Sequence, residues 1–308
     1  MVKTPGQCRA RRGCVKIACF SNLNHFGKNS PMKISGNIQK MHTRLADTVE
    51  YQLPFNNDSE QQLVDMNALI GQPIKLTHAA EINCIACGRK INKSFNQGFC
   101  YPCFQSLAQC DSCIIKPEKC HYAQGTCREP QWGEQHCMID HYVYLANSSG
   151  LKVGITRGTQ IPTRWMDQGA TQAIPMFRVK DRLTSGLLEV IFKDHVADKT
   201  SWQKMLKGEA ESLDMPQRRD ELFAQCETAI KQLGDTIGND AIEYLNDAEV
   251  VDIRYPVEQY PSKVSSFNFD KTPEVSGVLN GIKGQYLILD SGVLNMRKFA
   301  GYQLTLEV

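Results

Sequence analysis

His141-Tyr142-Val143-Tyr144-Leu145-Ala146 runs into the polar turn Asn147-Ser148-Ser149-Gly150, and the chain returns as Leu151-Lys152-Val153-Gly154-Ile155-Thr156-Arg157. Tyr142 to Leu145 alternate with the period of two that marks a strand. Leu151, Val153 and Ile155 repeat the alternation after the turn, so the two segments read as a β-hairpin, with Gly154 at a close backbone contact. Pro162-Thr163-Arg164-Trp165 follows, placing Arg164 near the start of a short helix.

Further on, two amphipathic helices are expected. The first runs from near Ser185 to about Leu206, with Leu188, Ile191, Phe192 and Val196 on one stripe. The second starts after Asp214-Met215-Pro216 and ends at Gly234, with Leu222, Cys226, Ile230 and Leu233 on its apolar side, so Cys226 is assigned to the core.

Upstream of the hairpin lie nine of the thirteen cysteines, between Cys84 and Cys137. Cys84-x2-Cys87 and Cys100-x2-Cys103 are separated by twelve residues. Each pair suits a tight knuckle placing two thiolates on one ion, and a hairpin between them completes a tetrahedron. Gly88 and Pro102 fit the turns. A structural zinc is therefore expected on Cys84, Cys87, Cys100 and Cys103. A redox role would call for a βαβ context that the sequence lacks.

Beyond it, Cys110-x2-Cys113, Cys120-His121, Cys127 and His136-Cys137 offer more ligands than one ion needs. Cys110, Cys113, Cys120 and Cys127 are the expected second set, with Cys137 or His121 as substitute. These are expected to hold a second structural zinc, and four thiolates are also chemically compatible with an iron–sulfur cluster. The absence of a secretory signal and the need for free thiolates point to a cytoplasmic protein.

The ends are β-rich. Ile34–Met41, Val49–Leu53 and Ile74–Leu76 read as short strands, as do Gln285–Leu289, Val293–Lys298 and Gln303–Val308, with Asp290-Ser291-Gly292 as a hairpin turn. Each terminal piece is too small to bury a good core alone, which favours packing on each other or on their neighbours. The expected organisation is a basic leader over 1–31, a β-rich unit over 32–83, a cysteine-rich zinc-binding segment over 84–137, a hairpin domain with helical extension over 138–245 and a β-rich unit over 246–308. The fold class is α+β.

With 42% hydrophobic and 22% charged residues the composition is that of a globular protein. No apolar run approaches the roughly 20 residues that span a bilayer. The net charge of +2 is carried by the leader, where Lys3, Arg9, Arg11, Arg12, Lys16 and Lys28 face no Asp or Glu. Without these six, 29 basic residues stand against 33 acidic ones, so the body is at −4 and no global electrostatic case for nucleic-acid binding holds. The leader lacks the apolar core of a signal peptide, and Met32 is the expected start of the patterned sequence. Locally the balance differs: residues 148 to 182 hold six basic side chains and two acidic ones, the surplus of a phosphate-binding cleft.

The hairpin with Tyr144 and Val153-Gly154, the helix with Arg164 and the later helix with Glu189 resemble the GIY-YIG nuclease superfamily over residues 141 to 206. Lys152 stands where the second Tyr belongs, as in the phage-type subgroup with Lys-Ile-Gly in that motif. With the cysteine segment, the whole chain also resembles an uncharacterised bacterial domain-of-unknown-function family. The nuclease resemblance implies a GIY-YIG-like small α/β domain joined to zinc ribbons, and a metal-dependent phosphodiesterase of the endonuclease type. Glu189 would hold Mg²⁺ against the scissile phosphate, Arg164 would stabilise its developing charge, and Tyr144 would help activate water, with Lys152 and Arg157 adding phosphate contacts. A hard carboxylate for Mg²⁺ and a planar guanidinium for phosphate oxygens are sound chemistry in their own right. The partner implied is DNA or RNA, with no membrane.

Each residue also has a plain reading: Tyr144 as a half-buried strand residue, Glu189 as an i,i+4 partner of Lys193, and Arg164 as a surface residue beside Trp165. The alternative function is a non-catalytic zinc protein binding nucleic acid or ribonucleoprotein. Phe95, Phe99, Tyr101, Phe104 and Tyr122 would then stack on unpaired bases or, equally, cap a metal-centred core. A protein-interaction scaffold is the third class.

Overall fold

The computed structural model describes residues 32–57, 60–196, 200–208 and 210–308. The basic leader over 1–31 lies outside the described residues. The body from Met32 to Val308 is one compact unit of mixed α+β architecture.

The first stretch forms β1 (Lys33–Ile38), β2 (His42–Arg44), β3 (Glu50–Asn56), β4 (Gln61–Asp65) and β5 (Pro73–Asn83). The cysteine-rich segment adds β6 (Lys90–Ile91) and the short helices α1 (Tyr101–Ser106) and α2 (Pro130–His136). Next come β7 (His141–Asn147), β8 (Leu151–Arg157), α3 (Thr163–Asp167), β9 (Gln172–Val179), α4 (Arg182–Lys193), α5 (Trp202–Met205) and α6 (Met215–Ile237). The chain closes with β10 (Ile242–Tyr244), β11 (Val251–Asp252), β12 (Glu274–Lys283), β13 (Tyr286–Leu289), β14 (Gly292–Asn295) and β15 (Tyr302–Glu307).

Both ends of the chain build one ten-stranded sheet, in the order β14-β13-β12-β5-β15-β1-β3-β2 with β4 on β3 and β6 on β5. β5 is the seam: Leu76 sits opposite Val275 of β12 on one side and Leu306 of β15 on the other. Neither terminal segment has a separate core. Ile38, Leu53, Phe55, Leu76, Leu287 and Leu304 belong to the same buried cluster, as burial of apolar surface favours.

The second sheet has the order β10-β9-β7-β8, with β11 on β9. The alternation along β7 decides what each face meets. Tyr144 and Ala146 point into the core of the large sheet, together with Trp165 and Met166 of α3. Val143 and Leu145 point the other way, against Leu188 and Phe192 of α4 and Leu222 and Cys226 of α6. This sheet is a layer covered on both faces.

The helices depart from the sequence expectation in two places. The stripe from Ser185 to Leu206 is not one helix: α4 ends at Lys193 and the short α5 starts at Trp202. Tertiary contacts hold the chain just before α5. Ser201 donates its N–H to Ser149 Oγ at 2.9 Å, and Thr200 Oγ1 lies 3.1 Å from Ser148 Oγ, so this stretch is captured by the turn between β7 and β8. α6 starts as expected, with the Asp214 carboxylate accepting from Gln217 N–H at 2.9 Å. It runs one turn past Gly234 and stops at Gly238, whose φ of 97° no side-chain-bearing residue adopts readily. The strand expected over Val293–Lys298 ends at Asn295, whose side chain accepts from Lys298 N–H and turns Met296–Phe299 into a 3₁₀ turn. No helix among the described residues is long and apolar enough to cross a membrane.

Candidate metal centre and basic site

Cys84, Cys87, Cys100 and Cys103 come together so that their four sulfurs lie within 4.8 Å of one another. Tetrahedral Zn²⁺ with Zn–S bonds of about 2.3 Å places its sulfurs roughly 3.8 Å apart; Cys87 Sγ and Cys100 Sγ are 3.7 Å apart. Backbone N–H groups of Cys100 and Cys103 point at Cys84 Sγ (3.2 Å) and Cys100 Sγ (3.5 Å), donors that favour thiolates. The Arg89 N–H does the same for Cys87 and holds its thiol down to about 6. Gly88, at φ 72°, donates to Cys84 O and closes the first knuckle. A Cβ on Gly98 would fall 2.8 Å from Ile85 Cδ1, so that glycine lets the two knuckles approach. The four cysteines form a cluster whose spacing could hold a metal ion such as zinc.

The remaining cysteines divide differently from the expected set. Cys110 packs in the apolar cluster of Cys84, Phe99 and Cys100. Cys113, Cys120 and Cys127 instead line a cavity together with Cys137. His121, the other expected substitute, faces Asp111 at 3.5 Å and Thr126 Oγ1 at 2.8 Å. Asp111 is already held by Arg128 at 2.7 Å, and Arg128 also donates to Phe104 O and Leu107 O, tying this segment to the first cluster. Of the interleaved aromatics, Phe95 packs against Tyr101 and Phe104, and Phe99 is buried among the cysteines. Tyr122 lines the cavity.

Tyr144, Lys152, Arg164 and Glu189 form one neighbourhood. Tyr144 lies across Gly154, its partner in β8, and a Cβ there would come within 2.7 Å of Tyr144 Oη. Its hydroxyl donates to Gln168 Oε1 at 3.0 Å. Burial pushes the phenol's pKa up, Arg164 pulls it down and Glu189 adds to the rise. Lys152 Nζ donates to the same Gln168 oxygen at 2.8 Å and to Thr200 Oγ1 at 2.7 Å. Burial, with Arg164 adding and Glu189 opposing, lowers the ammonium to about 7. Glu189 Oε2 is 3.8 Å from Lys193 Nζ, the i,i+4 pair, and its side chain is 14% exposed.

Besides Arg157, expected as a phosphate contact, two cations that the sequence reading did not single out, Arg182 and Arg297, adjoin this neighbourhood. Arg182 senses both Arg157 and Arg164, and Arg297 senses Arg164. Burial lowers all three of Arg157, Arg182 and Arg297, yet guanidinium groups stay protonated. Lys152, Arg182 and Arg297 thus lie within electrostatic reach of Arg164, and Arg157 of Arg182, while the charge of Glu189 reaches Lys152 and Tyr144. Arg182 was visible in the local surplus of basic residues; Arg297 arrives from the distant C-terminal β segment and left no local signal.

His141 is buried and neutral, its pKa lowered to about 4 by desolvation. It is positioned by an Nδ1 contact of 2.7 Å to Ile139 O, and its Nε2 is buried with no hydrogen-bond partner among the described residues.

An α+β protein with a four-cysteine cluster is the class these features define. The chain matches the family described as Protein of unknown function (DUF2797) over residues 71–304, and it belongs to that family. Comparison with curated proteins gives no match, and comparison with solved structures gives none.

Proposed function

We propose that the protein is a metal-dependent nucleic-acid phosphodiesterase of the GIY-YIG type, with a structural zinc on Cys84, Cys87, Cys100 and Cys103 in a ribbon-like module. The observation that carries this reading is the meeting of Tyr144, Lys152, Arg164 and Glu189, with the part-buried Arg182 and Arg297 within electrostatic reach of Arg164. Positive charge at that depth is costly unless an anion completes it, and a phosphodiester is such an anion. Arg164 offers a planar fork for phosphate oxygens. Tyr144 stays protonated at neutral pH and serves as a donor, while Lys152, near 7, is able to take up or release a proton at Nζ. Glu189 is the carboxylate whose charge reaches both Tyr144 and Lys152, and it would hold Mg²⁺; sites of this type take one or two carboxylates and draw the remaining oxygens from water and substrate. When bound, the ion would supply Lewis-acid stabilisation of phosphate charge.

The test is cleavage of labelled DNA and RNA of several structures with Mg²⁺, comparing wild type with Glu189→Ala. Loss of activity on the order of 10²-fold or more in a variant that keeps its zinc is expected, as for removal of a principal charge-stabilising group. If zinc-loaded wild type cuts nothing across the panel, the phosphodiesterase reading fails.

One observation favours a second reading, a non-catalytic nucleic-acid or ribonucleoprotein binder. Tyr144 is fully buried and its hydroxyl, like Lys152, is committed to Gln168. Binding that weakens steeply with salt, without cleavage and unaffected by Glu189→Ala, would select it.

A further inference from the structure

We infer that Asp111, Cys113 and His121 form a metal site separate from the two knuckles, holding one zinc-type ion with water in its fourth position. The carboxylate, thiol and imidazole come together so that one ligand atom of each lies within 4.8 Å of the others. In a tetrahedron with Zn–O and Zn–N bonds of about 2.1 Å, oxygen and nitrogen stand roughly 3.4 Å apart; Asp111 Oδ2 and His121 Nε2 are 3.5 Å apart. All three residues line one small cavity of about 20 Å³, room for a single ion or water-sized group.

Local turns bring the three together. Asp111 leads into the 3₁₀ turn Ser112–Ile114, which carries Cys113, and a second 3₁₀ turn over Pro117–Lys119 returns the chain at His121. Hydrogen bonding then sets the imidazole. Thr126 Oγ1 donates to His121 O at 3.3 Å and lies 2.8 Å from His121 Nδ1. With its one proton on the carbonyl, that hydroxyl accepts from Nδ1–H, which leaves the Nε2 lone pair facing the carboxylate oxygen. Two acceptors at 3.5 Å repel each other unless a cation lies between them, and an Nδ1–H held by a neighbouring oxygen is the support that ligating histidines have. The rival arrangement, an imidazolium paired with Asp111, fits less well. Charge-assisted contacts close to about 2.7–2.9 Å, and Asp111 Oδ2 already takes such a contact from Arg128 Nε at 2.7 Å.

The donor set selects the ion. One carboxylate oxygen, one imidazole nitrogen and one thiolate suit zinc, whereas magnesium and calcium prefer oxygen alone. Ionised Asp111 and Cys113 balance its two charges. Cys120, Cys127 and Cys137 line the same cavity, yet among the described residues no other sulfur joins this set within 4.8 Å, so water is left to complete the tetrahedron. The inference depends neither on the proposed enzymatic function nor on an ion at the knuckles.

The test is the zinc content of the full chain after zinc loading and dialysis. Wild type is expected to hold about two zinc per chain. His121→Ala and Cys113→Ser should each lose one of the two, the zinc they keep reporting a folded chain. Cys87→Ser should lose the other, and its cobalt(II)-exchanged form should show the visible charge-transfer band of one thiolate rather than four. Cys127→Ser/Cys137→Ser should keep the wild-type content. Wild-type zinc content in both His121→Ala and Cys113→Ser overturns the inference, as does loss of an ion in the Cys127→Ser/Cys137→Ser double variant.

Discussion

Replacing Lys152 by methionine is expected to stabilise the protein in mild acid and to lose that advantage as the pH rises. Lys152 is 3% exposed, and its Nζ donates to the neutral acceptors Gln168 Oε1 and Thr200 Oγ1. Burial lowers its pKa from 10.5 to about 7. The unfolded chain holds the lysine proton up to its ordinary pKa, whereas the folded chain releases it near neutrality. Between those two values the unfolded state binds more protons, so stability rises with pH. At 1.36 kcal/mol per pH unit, the buried ammonium costs on the order of 5 kcal/mol below pH 7, of which about 2 kcal/mol returns between pH 7 and pH 9. Methionine has a similar shape and no charge, so the variant lacks this slope; its two lost hydrogen bonds offset about 1 kcal/mol each. The assay is urea unfolding of both proteins at several pH values between about 6 and 9, read as the difference in free energy. The titrations of cysteines and other groups common to both cancel in that difference. Parallel curves, or an advantage of the Lys152→Met variant that grows with pH, would refute the placement of a desolvated ammonium beside Arg164.

Two substitutions test the close approaches that build the site. Gly154→Ala puts a methyl 2.7 Å from Tyr144 Oη and 2.8 Å from Cζ; the ring is fully buried, so the expected cost is about 1–3 kcal/mol of overpacking, measured by chemical unfolding, with a near-unchanged stability counting against the packing. Gly186→Ala puts a methyl 2.5 Å from Pro117 Cβ and 2.6 Å from the Glu118 backbone nitrogen. A loss of about 1–3 kcal/mol together with faster proteolysis within residues 108–137 is expected, and unchanged proteolysis would show that α4 does not anchor the cysteine segment.

Local chemistry carried much of this fold into view from the sequence. The alternation of Tyr142 to Leu145, the polar turn and Gly154 are short-range features, and β7 and β8 follow from them. The two C-x2-C pairs are equally local, since each knuckle is closed within a few residues by Gly88 and backbone N–H groups. The Asp214-Met215-Pro216 cap set the start of α6 for the same reason. Long-range choices left no such trace. That β5 inserts between β12 and β15 depends on apolar faces from both ends of the chain finding one core. The break between α4 and α5 depends on Ser149 and Ser148 capturing Ser201 and Thr200, contacts that a helical hydrophobic pattern does not encode. Among nine cysteines, spacing identified the first knuckle pairs but not which remaining four share a cavity. Cys110 looks like the partner of Cys113 in sequence, while the turns between them direct it to the opposite side, against Phe99.

The cysteine segment and the basic site are mechanically and electrically joined through the first turn of α4. Arg182 receives two constraints from the cysteine side: its N–H donates to Cys137 O at 2.8 Å and its guanidinium to Ile114 O. From the same position it faces Arg157 and Arg164. Gly186, one turn along, seats the helix on Pro117 and Glu118, and Glu189 lies three residues beyond. Negative charge collected at the cysteine cavity would therefore draw on the same guanidinium that adds to the field around Arg164. With the cavity thiols neutral, Arg182 contributes its full charge to the basic group; with the thiols ionised around a metal, part of that charge is balanced locally. The cysteine segment thus does more than cover a face of the sheet. It fixes the start of the helix that carries Glu189 through the Arg182 contacts to Cys137 O and Ile114 O and the seat of Gly186 on Pro117.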